Sequence, residues 1–211
     1  MYYHAAMHQL KSALNFTQGI DNAEQKIMRL ERHWERLEER YEEKPEDPNF
    51  GDDRYNKQEK LAMQMESADY NLGIAYGPYL QALAITHILC VSTVESHINI
   101  RGKETLRGKI FDNFERTSLE AKWLFLPYLL GKAGFDPGAQ LYQDFTKLIK
   151  IRNELVHYKG REEKWKISGS VVPIFLEKLG LTREAAIKSV GTTKAMIRSL
   201  AEKLSVDIPY W

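Results

Sequence analysis

The segment Ile151-Arg152-Asn153-Glu154-Leu155-Val156-His157-Tyr158-Lys159-Gly160 places an arginine, an asparagine and a histidine within six residues, at the end of an apolar run that stops at a glycine. These side-chain types suit phosphodiester chemistry. Arg152 would supply a permanent planar cation for a phosphate oxygen. Asn153 would orient that phosphate by hydrogen bonding, and His157, ionising near neutrality, would take or give a proton. At about 100° per residue, Asn153 and His157 lie roughly 40° apart and share a helix face, whereas Arg152 and His157 lie roughly 140° apart. On an ideal helix those two do not converge. Either the long arginine wraps around, the helix loosens near His157, or the groups meet across a subunit interface. The purely structural alternative is that Arg152 pairs with a carboxylate, Asn153 ties down a backbone group and His157 caps the helix C-terminus.

Other polar residues carry weaker signals. His87 falls on an apolar face and reads as a satisfied core histidine. His97 reads as exposed or structural. His4 and His8 have the i,i+4 spacing of two metal ligands on a helix, but no third ligand is near them in sequence and no metal is expected. Tyr2, Tyr3, Tyr210 and Trp211 read as terminal docking or interface groups. The stretch Ala185 to Arg198, with Gly191 before Lys194 and Arg198, resembles a DNA-binding helix-turn-helix. Its glycine lies one residue too far from the alanine pair, and a plain amphipathic helix fits better.

The elements that would position the Arg152–His157 segment are all helices. Ile20, Ala23, Ile27, Leu30, Trp34, Leu37 and Tyr41 alternate by three and four residues, the seam of a coiled-coil-like helix over 20–43, with Asp21 or Asn22 available as its cap. Residues 44–56 read as a loop. A second helix begins near Lys57 with Leu61, Met65, Ala68 and Leu72 inward. The pair forms an antiparallel hairpin that either closes on itself or also reaches a second subunit. Gly77-Pro78 reads as punctuation before a helix from Tyr79 to Ile100, too short and polar in its apolar part to span a bilayer. Gly102 and Gly108 mark a loop. Ser118 caps a central helix through Leu130, kinked at Pro127. The motif helix runs from Ala139 to Val156. Residues 165–172 read as a loop or short extended piece, Pro173 opens a short helix to Leu179, and Thr182 caps a last helix from Arg183 to Leu204, interrupted at Gly191. With no strand pairs, the class is all-α. Two regions are expected: an N-terminal hairpin over 1–74 and a core over 75–211.

The chain has 211 residues, 43% hydrophobic and 28% charged, which is the composition of a folded protein and not of a disordered one. The net charge of +1 excludes a uniformly basic coat, but it hides an asymmetry. Residues 1–70 hold ten Lys and Arg against fifteen acids, and residues 71–211 hold twenty against fourteen. Lys150, Lys159 and Arg161 belong to a basic stretch around the Arg152–His157 segment and are candidate RNA-binding residues. The single cysteine, Cys90, and the absence of a secretory signal at residues 1–4 point to a reducing, cytoplasmic setting.

Arg152 to His157 fits the R-x4-H motif, with an asparagine directly after the arginine, and so resembles the HEPN superfamily (higher eukaryotes and prokaryotes nucleotide-binding). Val94-Glu95-Ser96-His97-Ile98-Asn99 resembles the family's first core helix, with its acidic residue followed by an asparagine one turn later. Lys122-Trp123-Leu124-Phe125-Leu126-Pro127 resembles the second, and the Arg152 segment closes the third. The likeness covers residues 75–160.

That resemblance implies an up-and-down helical bundle, a homodimer joined through the motif face, and metal-independent cleavage of RNA with no cofactor. His157 would be the general base at a ribose 2′-OH, or the acid at the 5′-oxygen. Arg152 would stabilise the phosphorane-like transition state, Asn153 would position the phosphate, and a 2′,3′-cyclic phosphate would result. Glu95 and Asn99 share a helix face and would support the site by orienting Arg152 or His157, or else cap their helix. Stress or antiphage defence, and an antitoxin or regulatory partner, follow from the family alone. In one antitoxin-controlled branch a modified tyrosine follows the histidine after one intervening residue. Here that position is Lys159, and Tyr158 follows His157 directly, so that regulation is not carried over. The alternative from the same family is a catalytically silent module that binds a nucleotide, RNA or a partner protein.

Overall fold

The computed structural model describes residues 1–42, 50–157, 176 and 179–208. Within them there are six helices and no strand: α1 (Tyr2–Glu42), α2 (Phe50–Thr105), α3 (Lys109–Glu115), α4 (Leu119–Leu129), α5 (Gln140–Val156) and α6 (Arg183–Leu204). The protein is all-α. It divides into two compact units, one of Met1–Lys11 with Ala82–Trp211 and one of Ser12–Gln81.

The unit of Ser12–Gln81 is an antiparallel helical hairpin. Leu37 and Tyr41 of α1 bury against Leu61 of α2, with Leu30, Trp34 and Met65 packed around them. Polar bonds flank this seam in antiparallel order. Gln58 Nε2 donates to Glu38 at 3.2 Å, and the Tyr76 hydroxyl donates to Glu24 at 2.7 Å. The guanidinium of Arg54 lies 5.3 Å from the centre of the Tyr41 ring.

Helix α3 has no counterpart in the sequence reading, and helix boundaries differ from it in three further places. First, α1 starts at Tyr2, so Asp21 and Asn22 are interior and cap nothing. Second, α2 is a single 56-residue helix that starts at Phe50 and runs through Gly77-Pro78 to Thr105. Proline removes one backbone donor and crowds one carbonyl, but apolar packing on both sides of it holds the helical path. Gly102 lies within α2, and a side chain there would run into the ring of Phe114, so the glycine lets α3 approach. Third, α6 runs without interruption through Gly191. That removes the turn a helix-turn-helix needs, and the DNA-binding reading of 185–198 with it.

Two caps are as the sequence implies. The Ser118 hydroxyl accepts from the Ala121 N–H, and the Thr182 hydroxyl accepts from the Ala185 N–H, both at 3.2 Å. The core of this second unit is built around Trp123 of α4, which is fully buried, with its ring 5.5 Å from Phe145 of α5 and 5.7 Å from Phe135. The Tyr142 hydroxyl donates to the Glu120 carbonyl at 3.0 Å. Burial of that phenol pushes its pKa up to about 12. Helix α4 is less central than its apolar run implies, because Phe125, Tyr128 and Leu129 are exposed while Trp123 and Leu126 are buried. An ion pair of 2.6 Å between Lys188 and Asp144 joins α6 to α5.

His87 of α2 is fully buried, and both ring nitrogens are engaged. Nε2 donates to the Gly180 carbonyl at 2.8 Å and Nδ1 pairs with the Ser189 hydroxyl at 2.9 Å. It is the core histidine its apolar setting suggested. Cys90, also buried, is a free thiol held up at about 11 by burial. Part of α2 is long and apolar enough, by length and composition, to cross a membrane, which is more apolar than the sequence reading allowed. The core helix of a soluble protein passes the same test, and within the second unit Leu83, Val91, Val94 and Ile98 of α2 are buried.

Candidate active site

Helix α5 ends one residue before the histidine, at the boundary the sequence implies. Val156 is its last residue, and His157, at φ −110° and ψ 23°, is the capping residue whose N–H donates to the Asn153 carbonyl at 2.9 Å. His157 and Asn153 are both exposed, on the last turn. The helix therefore loosens at His157, as one resolution of the spacing problem required, but Arg152 does not swing toward it. Arg152 turns inward to α2, where its guanidinium lies 4.0 Å from the Glu95 carboxylate. At that distance the pair is a loose electrostatic contact and not a hydrogen bond. The Nε of Arg152 is buried with no hydrogen-bond partner among the described residues.

Asn99, one turn beyond Glu95 on the same face of α2, accepts a hydrogen bond of 2.9 Å from Lys122 Nζ of α4. Lys122 is 5% exposed, so α4 delivers a buried ammonium to the α2 face that Arg152 approaches from α5. Lys122 is the residue that sequence reasoning did not assign to the site. A lysine within an apolar run normally reaches out to water, and only the partnership with Asn99 accounts for its inward turn. With Lys122 on Asn99 Oδ1, the amide NH2 of Asn99 keeps its two donors.

The folding thus joins Arg152 to Glu95 and Asn99 to Lys122 along one turn of α2. Among the described residues no bond links Arg152 to His157, and Asn153 contributes only its backbone carbonyl to His157. Lys150 is exposed on α5. Lys159 and Arg161 lie outside the described residues, as do Tyr158, the 165–172 segment, Pro173 and the terminal aromatics Tyr210 and Trp211. No group of three or more His, Cys, Asp or Glu able to hold a metal occurs among the described residues. His4, the first of the spaced pair near the N-terminus, packs edge-on to Tyr3.

The Lys122–Asn99 pair gives a test that separates structure from chemistry. Asn99→Leu should destabilise the fold by about 2–3 kcal/mol, because it leaves a buried ammonium without its acceptor. Lys122→Met, which removes the charge and keeps the stem, should cost under about 1 kcal/mol. Urea denaturation of the two variants checks the asymmetry. If Lys122 serves a substrate, the Met variant loses activity while it keeps its stability.

His97, between Glu95 and Asn99, points elsewhere. Its Nε2 is buried without a partner, and burial, reinforced by the charge of Arg101, lowers its pKa from 6.5 to about 4, with Glu104 opposing. Burial also lowers the pKa of His87. Between pH 6.5 and 4 the unfolded chain therefore binds more protons than the folded one. Stability is fully present above 6.5 and falls as the pH drops through that window. Thermal melts should show a falling Tm from pH 7 to pH 5, and His97→Gln should flatten the decline.

No protein-family model, curated protein or solved structure matches the chain.

Proposed function

We propose that the protein is a metal-independent endoribonuclease of HEPN type that works as a homodimer in the cytoplasm. The observation that carries this reading is the convergence of two cationic side chains, Arg152 and Lys122, on the Glu95–Asn99 turn of α2, close in sequence to an exposed histidine that ends the same helix as Arg152. Arg152 and Lys122 would hold the scissile phosphate, with the Asn99 amide as a third donor. His157 takes the 2′-OH proton, O2′ attacks phosphorus, and the P–O5′ bond breaks to leave a 2′,3′-cyclic phosphate. The departing 5′-oxygen needs a proton that the same histidine cannot give at that moment. The partner subunit's His157 would supply it, which is a chemical reason for the two chains to pool their motifs. DNA, lacking the 2′-OH, should survive.

The second reading is a silent binding module. It is favoured by the contact of Arg152 with Glu95 and by the lack of a bond between Arg152 and His157. Incubation of the purified protein with varied RNAs in EDTA decides between them: cyclic-phosphate products that vanish in His157→Ala support the enzyme, and intact RNA supports the module. A strictly monomeric mass at tens of micromolar would count against the pooled site. Stress or antiphage defence, and control by an antitoxin, are proposals that rest on the family resemblance alone.

A further inference from the structure

The charges of α1 are sorted by side. At about 100° per residue, Arg29, Arg32, His33, Arg36 and Arg40 fall within an arc of roughly 100° on one flank of the apolar seam, and Glu24, Glu31, Glu35, Glu38 and Glu42 fall within a narrower arc on the other, with Asp21 and Glu39 the exceptions, about 20° from Arg32 at the edge of the basic flank. An ordinary solvated helix intermixes the two signs. Here the acidic flank is in part used by the hairpin, since Glu38 accepts from Gln58 and Glu24 from Tyr76. The basic flank has no such use. Among the described residues no carboxylate lies within ion-pair distance of Arg29, Arg36 or Arg40. These three line an open groove of about 530 Å³ together with His33, Leu37 and Glu39. The Nε of Arg36 donates to the Arg32 carbonyl at 3.2 Å, which steadies the stem and leaves the terminal guanidinium nitrogens free. Lys57 of α2 adds a like charge close to Arg40, although Asp53 is bonded to it.

We propose that the Arg29–His33–Arg36–Arg40 groove binds the phosphate backbone of single-stranded RNA. The four side chains step along the helix by three or four residues, about 4.5–6 Å, and span about 16 Å in all. That step is comparable to the repeat of a nucleic-acid strand, so successive phosphates meet successive donors, three of them guanidiniums and one the His33 imidazole. The planar fork of a guanidinium matches a phosphate edge bidentately. No Phe, Tyr or Trp lines the groove, so it mainly tracks the backbone. The identity of the polyanion as RNA rests on the ribonuclease reading; the charge sorting does not.

The test uses the full chain carrying His157→Ala, so that the probe is not cut, and a fluorescein-labelled 15-mer oligouridylate in EDTA. Adding Arg29→Gln, Arg36→Gln and Arg40→Gln should weaken binding at least tenfold and reduce the slope of log K against log salt by about 2, at roughly 0.7 per phosphate contact. The same three positions changed to Lys should keep most of that slope. Unchanged affinity in the Gln variant overturns the proposal. So does displacement of the probe by polyglutamate as readily as by unlabelled oligouridylate, which would assign the groove to acidic peptides. The ribonuclease reading fails separately. A chain that cuts no RNA, yet loses binding on the triple change, keeps the groove and loses the enzyme. A chain that cuts RNA but binds it equally well after the triple change keeps the enzyme and loses the groove.

Discussion

His157→Ala is expected to lower RNA cleavage by about a thousandfold or more, within the range that a positioned proton-transfer group contributes. Arg152→Ala should cost about a hundred- to a thousandfold, as the loss of a cation from a developing phosphorane does. Product formation followed in EDTA on a defined RNA checks both. The pooled site adds a sharper result. Mixing wild-type subunits with an excess of His157→Ala subunits and letting them exchange should silence the wild-type chains, because a mixed dimer holds one His157 while cleavage needs two, one as base and one as acid. Mixed dimers that keep half of the activity or more would exclude pooling and leave each chain to work with its own pair. In the structure that pair is not bonded, and Arg152 lies against Glu95.

Trp123→Ala is expected to be the most damaging single change to the fold, at about 3–5 kcal/mol. The indole is fully buried, and its ring lies 5.5 Å from Phe145 and 5.7 Å from Phe135, so the cavity opens against two aromatic rings that face it from separate segments. For a chain of this length that loss lowers Tm by roughly 10 °C. Trp123→Phe should cost far less. Among the described residues the indole N–H has no hydrogen-bond partner, so the smaller ring gives up volume but no bond. Calorimetry of the two variants makes the comparison. A Phe variant as damaged as the Ala variant would mean that the N–H is bonded in solution.

Local chemistry was legible in the sequence wherever a signal acts over three or four residues. Ser118 and Thr182 cap their helices with their own hydroxyls, and the Leu37–Tyr41 seam finds Leu61 across the hairpin. The breakers at Pro78 and Gly191 were misleading because their cost is local, about 3 kcal/mol for a proline and about 1 kcal/mol for a glycine, whereas the buried residues of α2 and α6 on either side of them oppose it. Nothing packs within 4 Å of a side chain built at Gly191, so that glycine is tolerated without any turn being made. The motif itself could be read, but its partners could only be guessed at. That Arg152 meets Glu95 depends on how α5 crosses α2, and that Lys122 turns inward depends on Asn99, 23 positions away. Neither is encoded in spacing. The sorting of charge along α1 was present in the sequence, but the net acidity of residues 1–70 concealed it.

Gly180 has a consequence beyond its own turn. It sits at φ +67°, and a side chain added there would collide with Ile151, the residue before Arg152, while its carbonyl accepts from His87. Three distant stretches of chain are therefore constrained by one missing methyl group. Diverged relatives that kept this packing should show the three positions changing in concert: a glycine 28 residues after the motif arginine, a histidine 65 before it, and a bulky aliphatic beside it. Such a triplet would trace descent where the exposed motif has been lost. A lineage that abandons the chemistry has no reason to keep His157, but it still needs Gly180 to close its core.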